Sequence, residues 1–446
     1  MQITDLVLHP IAIADPPLRS SYGLHAPFAL RTIVEVKTDS GLTGYSETYG
    51  GEGPLAGLEA VRHRVTGMDP FQLAGLYRDL TADAESQAAK AEQQTAQASG
   101  GRSQTYLVPG ENPLDRHTRT FAAIEIACLD LIGKAIGKPV CDVIGGRVRD
   151  EVSFSAYLFY KHGGGGGVGG DARPDEYGEI LEPEACVRSC RQMIAQYGFR
   201  EIKLKGGVLD PEIEIESIRA LRREFGPSYP LRIDPNCAWS VETSVKVGRE
   251  LQAELAHGGY LEDPCATLEG MAEVNHRLVA ENNHTPQASN VAVTCFADVP
   301  RARELNAVQI VLSDPHYWGG MRNVQQLSHL TSVLGMGLSM HSNSHLGISL
   351  MAMTHVAAAC PNLTYACDTH YPWQTERDEV VVGGRIRFVN GCVRIPDKPG
   401  LGIELDYDQV ARGRERYEQI PFRKRDDEAE MRKHVDPNWR RVLPRW

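Results

Sequence analysis

Phe199-Arg200-Glu201-Ile202-Lys203-Leu204-Lys205-Gly206-Gly207 opens a segment that closes with Leu231-Arg232-Ile233-Asp234-Pro235-Asn236. The pattern predicts strand, helix, strand. Residues two apart in a strand point the same way, so Lys203 and Lys205 share a face and Leu204 takes the other. Adjacent ammonium groups disfavour each other's charge, and a partly neutralised lysine is a base. The second strand ends in Asp234, a carboxylate that can ligate a metal. A base beside a metal ligand points to proton abstraction.

Outward from this segment the same unit recurs. Lys205, Asp234, Glu262, Asn290, Asp314, His341 and Asp368 fall at expected strand ends, separated by 29, 28, 28, 24, 27 and 27 residues. One strand–helix unit of an eightfold barrel takes roughly 30 residues, and the C-terminal ends of its strands carry the site. A run of polar residues in phase with that unit predicts an α/β chain of TIM type. Pro183, Asp210 with Pro211, and the apolar face of Ile218, Leu221 and Phe225 mark helices between the strands. No internal sequence repeat accompanies the spacing, which excludes a solenoid.

The flanks read differently. Ile3–Ile13 and Thr32–Lys37 read as strands, with a polar loop from Pro16 to Pro27 between them that holds His25. Residues 53–80 carry helical patterning. Residues 82–101 are rich in Ala, Gln and Glu, and fit either a helix or a mobile flap. Thr118–Ile136 is a helix with Phe121, Ile124, Cys128, Leu131 and Ile132 on one face, stopped by Gly137 and Pro139. The run Gly163–Gly170, broken only by Val168, superficially resembles a phosphate loop but lacks the GK[ST] that would follow, so a flexible loop is expected. After about residue 385 the alternation stops. Val381–Ile395 reads as a hairpin, and the charged stretch Arg423–Lys433 as a solvated helix or arm.

At 446 residues the chain suffices for two domains or one large barrel with additions. A net charge of −11 argues against nucleic acid or an anionic membrane surface as partner, and an anionic substrate then requires a locally cationic site. Ten scattered cysteines with no CxxC pair predict buried, reduced thiols. Neither a signal-peptide pattern nor a membrane-length apolar run is visible, so a cytoplasmic enzyme is expected.

Asp234, Glu262 and Asn290 offer all-oxygen ligands on three consecutive strands, a set suited to Mg²⁺ with positions left for water or substrate oxygens. Glu269 is a weaker alternative on the same loop as Glu262. His341 and His345 have an HxxxH spacing, yet no HExxH occurs and the stretch follows a strand. Pairing His341 with Asp314 from the preceding strand reads better, since a carboxylate orients the imidazole and supports its protonated form. Lysines early in the barrel and a histidine late in it, with a metal between, suit removal of a proton alpha to a carboxylate.

Lys203-Leu204-Lys205, Asp234-Pro235-Asn236, Glu262-Asp263-Pro264-Cys265, Asn290, Ser313-Asp314-Pro315-His316 and His341-Ser342-Asn343 together resemble the enolase superfamily, and its glucarate dehydratase branch in particular. Ala123–Asp130 through Gly145-Gly146 is similar to that family's link from capping domain to barrel. The resemblance covers nearly the whole chain. It implies a modified (β/α)7β barrel over 141–385, an α+β capping domain over 1–140, and a C-terminal segment over 386–446 that returns to the cap. It implies Mg²⁺ on Asp234, Glu262 and Asn290, Lys205 as base, Lys203 as enolate stabiliser, and His341 with Asp314 as the facing acid/base. Asn343 would polarise the substrate. His25, Thr105, Tyr157, Asn236, Ser342, His370 and Arg425 would contact an acid sugar. A dicarboxylate fits, with Mg²⁺ on one carboxylate and Arg425 and His25 at the other. A homo-oligomer is also implied. Leu346-Gly347 departs from the aromatic–acidic pair expected of this branch, which leaves the sugar open. The implied reaction is β-elimination of water to a keto-deoxy acid. A racemase or epimerase on the same site, a cycloisomerase and a non-catalytic sugar-acid binder are the alternatives.

Overall fold

The computed structural model describes residues 1–82 and 113–446. The expectation of a helix or flap over 82–101 and the position of Thr105 therefore lie outside the described residues, apart from residue 82 itself. The chain opens with β1 (Ile3–Ala14), a ribbon of β2 (Arg19–Ser20) and β3 (Gly23–Leu24), then β4 (Phe28–Thr38) and β5 (Thr43–Tyr49). β1, β4 and β5 form an antiparallel sheet in that order. Helices Glu52–Val65, 73–82 and Pro113–Ile136 follow. The last buries Phe121, Ile124, Cys128, Leu131 and Ile132, the face that the apolar spacing marks.

The second layer is a barrel. β6 (Glu151–Ser153) lies outside it; β7 (Ala156–Phe159), β8 (Ile202–Lys205), β9 (Leu231–Asp234), β10 (Tyr260–Glu262), β11 (Gln287–Ser289), β12 (Ile310–Ser313) and β13 (Gly337–Met340) form one parallel sheet in chain order. A helix follows each, from Pro183–Tyr197 after β7 to Gly347–Ala358 after β13. Residues 363–368 close the ring. Thr364 N–H donates to Leu338 O and Asp368 N–H to Met340 O, while Ser155 N–H on the other side donates to Cys367 O. This is the modified (β/α)7β barrel, with an antiparallel sheet and helices as its cap. Local chemistry sets the helix starts: Asp210, Ser240 and Thr267 each accept a backbone N–H of the first turn, and Pro211 occupies a first-turn position where no N–H is needed. All ten cysteines are unpaired thiols, eight of them buried. Among the described residues no helix is long and apolar enough to cross a membrane.

Buried polar groups join the layers. Glu47 of β5 accepts the backbone N–H groups of Leu346 and Ser349 at the start of helix Gly347–Ala358. Glu125 accepts those of Met321 and Arg322 at the start of helix Met321–Val333. Carboxylates are favoured at such N-termini. His355 joins two further loops to the barrel: Cys141 N–H donates to its Nδ1 at 3.3 Å, so its Nε2 carries the proton and donates to Leu401 O at 3.2 Å. Burial pushes both His355 and His345 down to about 4. A histidine pKa depressed on folding gives stability that is present above the unfolded value near 6.5 and lost as pH falls towards 4. Stability is expected to fall between pH 6.5 and 4 by up to about 1.4 kcal/mol per pH unit for each site. Urea melts across this window should show a shallower slope for His355→Gln, which takes up no proton there.

Two expectations need correction and a third is narrowed. Val381–Ile395 is not one continuous hairpin: the Asn390-Gly391 turn is present, with Val389 bridged antiparallel to Cys392, but Val381 bridges to Leu405 and β14 (Cys392–Arg394) pairs with β6. Glu376 accepts the Arg385 N–H, and the Arg385 guanidinium reaches Tyr197 and Tyr371, which draws the intervening residues away from a two-strand turn. The glycine run is not a free loop. Gly167 N–H donates to Pro27 O, Arg173 N–H donates to Gly166 O, and a Cβ on Gly166 would fall onto the Asp15 backbone. The glycines thus allow close approach beneath the loop that carries His25. Gly166 has φ +84°, so Gly166→Ala adds strain to overlap and should cost about 1–3 kcal/mol in a denaturation midpoint measurement. The charged tail takes the solvated-helix alternative rather than the arm, but it is tethered by one face. Helix Asp427–His434 packs on β3, with Met431 and Trp439 buried around Leu24.

Candidate active site

Register places the polar side chains. Lys205 is the Cα partner of Asp234 across β8 and β9, and Tyr157 is that of Lys203 across β7 and β8. Lys205 Nζ lies 2.6 Å from Asp234 Oδ2 and 2.9 Å from Asn236 Oδ1. Lys203 Nζ is wholly buried, 2.6 Å from Glu262 Oε2, 2.6 Å from Asp368 Oδ2 and 3.4 Å from Asp234 Oδ2, and 4.6 Å from the Tyr157 ring centre. Burial opposes its charge, but Asp368 and Glu262 outweigh burial and hold its pKa well above the usual lysine range. For Lys203 this reverses the expectation of partial neutralisation by its neighbour, because the adjacent carboxylates prevail. Asp368 stood in phase with the strand ends but without an assigned role; its place is beside Lys203.

The proposed metal ligands converge on the same centre. Asp234, Glu262 and Asn290 are buried on consecutive strand ends. An edge of the Asn290 amide lies 3.2 Å from Glu262 Oε1 and 2.9 Å from Asp263 Oδ2. With its nitrogen there the amide donates to both carboxylates; with its oxygen there, three oxygens converge and require a cation. Asp263, quoted in the Glu262–Cys265 motif but given no role there, fixes this loop. It accepts Ser289 Oγ–H at 2.6 Å and the N–H groups of Asn290 and Val291. Burial and the charge of Asp234 push Glu262 well above the usual carboxylate range, and Asp263 up to about 6. Asp234 opposes burial through Lys205 and Lys203 and is held low. Two lysines against the carboxyl groups of Asp234, Glu262, Asp263 and Asp368 leave an excess of acidic groups in a dry centre, which a bound cation would let ionise. That excess and the hard oxygen donors fit Mg²⁺. Among the described residues no three of His, Cys, Asp and Glu are grouped for a metal, so the set is complete only with the Asn290 amide.

Across the barrel, His341 Nδ1 lies 3.0 Å from Asp314 Oδ2. The buried Asp314 resists burial through His316 and His341 and is held far below the usual carboxylate range. Arg31 of β4 donates to Asn343 Oδ1 at 3.1 Å, which leaves the Asn343 NH₂ for other acceptors. Ser342 Oγ is 2.8 Å from His370 Nδ1, and His370 meets the Tyr157 ring edge-on at 5.0 Å. Burial and neighbouring His25 push His370 well below the usual histidine range. At the cap side, buried Asp15 gathers three groups: His25 Nδ1 at 3.0 Å, Arg425 Nη1 at 3.2 Å and Ser344 Oγ at 3.2 Å. No spacing or phase in the sequence marks Asp15; its partners come from three distant segments.

These side chains surround one cavity of about 330 Å³. Its lining includes His25, Tyr157, Lys205, Asn236, Asn290, His341, Ser342, Asn343, His370 and Arg425. Lys203, Asp234, Glu262 and Asp314 lie behind it, and Thr105 falls outside the described residues. Arg31, Arg119, Lys205 and Arg425 line the cavity with three histidines, and among the described residues no Asp or Glu does. A chain of net charge −11 thus presents a cationic interior here. Arg31 and Arg119 went unmarked in the sequence because both come from the cap rather than from strand ends. Arg119 lies 4.0 Å over the ring of Tyr49.

The family "Enolase C-terminal domain-like" matches residues 185–410. A probable glucarate dehydratase of Streptomyces coelicolor is 43% identical, covering 100% of this chain and 99% of that protein. A D-xylonate dehydratase of Haloferax volcanii is 27% identical over 85% and 84% of the two chains. A solved enolase of Pseudomonas fluorescens with bound magnesium, potassium and tartrate superposes with a TM-score of 0.89 at 44% identity, covering 100% and 99% of the two chains. One from Thermobispora bispora with magnesium and formate gives 0.87 at 45%, covering 100% of both. With a family match over half its length and a relative 43% identical end to end, this chain belongs to the enolase superfamily, in the branch that resembles glucarate dehydratase.

Proposed function

We propose that the protein is a Mg²⁺-dependent hydro-lyase that dehydrates an acid sugar, an aldarate such as glucarate. The observation that carries this reading is one cavity, lined by cationic side chains and by no carboxylate among the described residues, into which Lys205 and the Asp314-held His341 both project. Relatives named as glucarate, xylonate and arabinonate dehydratases support it. Asp234, Glu262 and Asn290 would hold the metal, which when bound supplies positive charge to a substrate carboxylate and so acidifies its α-proton. Lys205 takes that proton on one face. Lys203 is the fixed positive charge behind the reacting carboxylate, and Asn343 offers its NH₂ to the developing enolate. His341 delivers a proton to the departing β-hydroxyl, and Asp314 keeps its Nδ1–H oriented for this. The enol then becomes a 2-keto-3-deoxy acid. His25 and Arg425, gathered by Asp15, pair with the distal carboxylate, while Tyr157, Asn236, Ser342, His370 and Thr105 complete the substrate contacts. The division into cap over 1–140, barrel over 141–385 and returning segment over 386–446 belongs to the same proposal, as do the cytoplasmic location and the homo-oligomer.

A racemase or epimerase is the second reading, because bases reach the cavity from two sides. Incubation with a panel of aldarates and aldonates separates them. Keto-acid formation that stops on chelation and returns with Mg²⁺ is the expected result. Solvent-deuterium exchange without keto acid would mark the epimerase, and neither would sink both.

A further inference from the structure

Asp314 serves two imidazoles. Its Oδ2 lies 3.0 Å from Nδ1 of His341, and its Oδ1 lies 2.6 Å from Nδ1 of His316. The backbone N–H of His316 donates to the same Oδ1 at 2.8 Å. On its other side His316 Nε2 is 2.9 Å from Ser349 Oγ, and Arg31 of β4 donates to that hydroxyl at 3.3 Å. A continuous line thus runs from the cap sheet through Arg31, Ser349, His316 and Asp314 to His341. Arg31, Ser349, His316 and Asp314 are all buried, and His341 presents its ring to the cavity that His316 does not line.

The donors along this line fix the hydrogens. A guanidinium has no acceptor, so the Ser349 oxygen receives from Arg31 and its own O–H is left for His316 Nε2. Neutral His316 then carries its proton on Nδ1 and donates it to Asp314. Other polar groups face the pair without entering this line. Tyr49 meets the His316 ring edge-on at 6.3 Å, and Tyr317 meets that of His341 at 5.7 Å. Arg31 is paired with Glu47 at 2.7 Å, and His345 lies near both Glu47 and His316. Among the described residues Asp314 is therefore the carboxylate in hydrogen-bond contact with either imidazole.

The geometry points to His316 as a positioning residue for His341: by holding one oxygen of Asp314 it fixes the carboxylate plane and limits the negative charge that reaches the cavity-facing histidine. This rests on reading His341 as the acid/base group. His316 touches no substrate and moves no proton itself. Without its donated hydrogen bond, the buried carboxylate turns its full charge on His341, which then keeps its proton to higher pH and gives it up less readily.

Two substitutions separate this role from mere packing. The amide of His316→Asn reaches the place of Nδ1 and keeps the bond to Asp314. That of His316→Gln reaches the place of Nε2, keeps Ser349 and loses Asp314. The full-length protein, labelled at histidine Cε1, is titrated by NMR without substrate, and His341 is assigned by its loss in His341→Asn. His316→Gln is expected to raise the pH at which His341 titrates by about one pH unit, with His316→Asn close to wild type. The pH profile of His341-dependent proton exchange should move by the same amount. Unchanged titration in His316→Gln, or equal movement in both variants, would overturn the proposal. If His316→Gln does not fold, Ser349→Ala reports on the same line, since it frees the His316 tautomer; a smaller upward movement is expected, and none would overturn it. Failure of the dehydratase reading would show instead as absent turnover in wild type, with the titrations intact.

Discussion

Replacing Lys203 by methionine is expected to lower stability by about 3–5 kcal/mol and to abolish turnover together. The ammonium sits 2.6 Å from both Glu262 and Asp368 with no solvent access. Methionine matches its length but leaves those two carboxylates facing each other in a dry centre, with Lys205 still committed to Asp234. One of them must then take a proton or the local structure must open. The measurement is the urea midpoint of Lys203→Met against wild type, both with chelator present. Adding Asp368→Asn to Lys203→Met removes one of the two stranded charges, so the double variant should be more stable than Lys203→Met. That non-additivity distinguishes a charge cage from a packing defect. An unchanged midpoint in Lys203→Met would show that the cage contributes nothing.

Lys205→Met and His341→Asn should each lower kcat by about 10²- to 10⁴-fold while leaving the fold intact, the range expected for loss of a positioned acid or base. Lys205 is nearly buried and lies beside Asp234, so its loss also weakens the proposed metal end. His341 is more open and its loss leaves Asp314 with His316, so its effect is confined to the proton it handles. The two variants should therefore differ in kind. Lys205→Met is expected to require more Mg²⁺ for half-maximal residual activity, and His341→Asn is not. An epimer whose α-proton faces His341 should lose exchange in His341→Asn and keep it in Lys205→Met.

The barrel was legible because its strand ends carry polar residues at a near-constant interval, and β8 to β13 do end where that interval puts them. Lys205, Asp234, Glu262, Asn290, Asp314 and His341 share this phase, so their convergence could be read without coordinates. The residues that complete the site have no such phase. Asp15, Arg31 and Arg119 reach it from the cap, and chain connectivity does not reveal which loop of one layer meets which strand end of another. His316 and Asp263 stood in the quoted motifs, yet their roles were hidden for the opposite reason. Each follows a marked residue closely, and only a backbone turn, at φ +39° for Asp263, shows that it points back to the centre. The glycine run misled because composition alone cannot separate a glycine needed for motion from one needed for contact. The fold places Gly166 against Asp15, which makes it a packing requirement.

In the proposed reaction two bases, Lys205 and His341, act on one bound acid sugar. The most direct test is α-proton exchange in deuterium oxide with Mg²⁺ and the best substrate of the panel, followed by NMR in wild type, Lys205→Ala, His341→Ala and the double variant. Exchange and keto-acid formation are expected in wild type, loss of one stereochemical sense of exchange in each single variant, and none of either reaction in the double variant. Wild-type exchange or keto-acid formation in the double variant would contradict it.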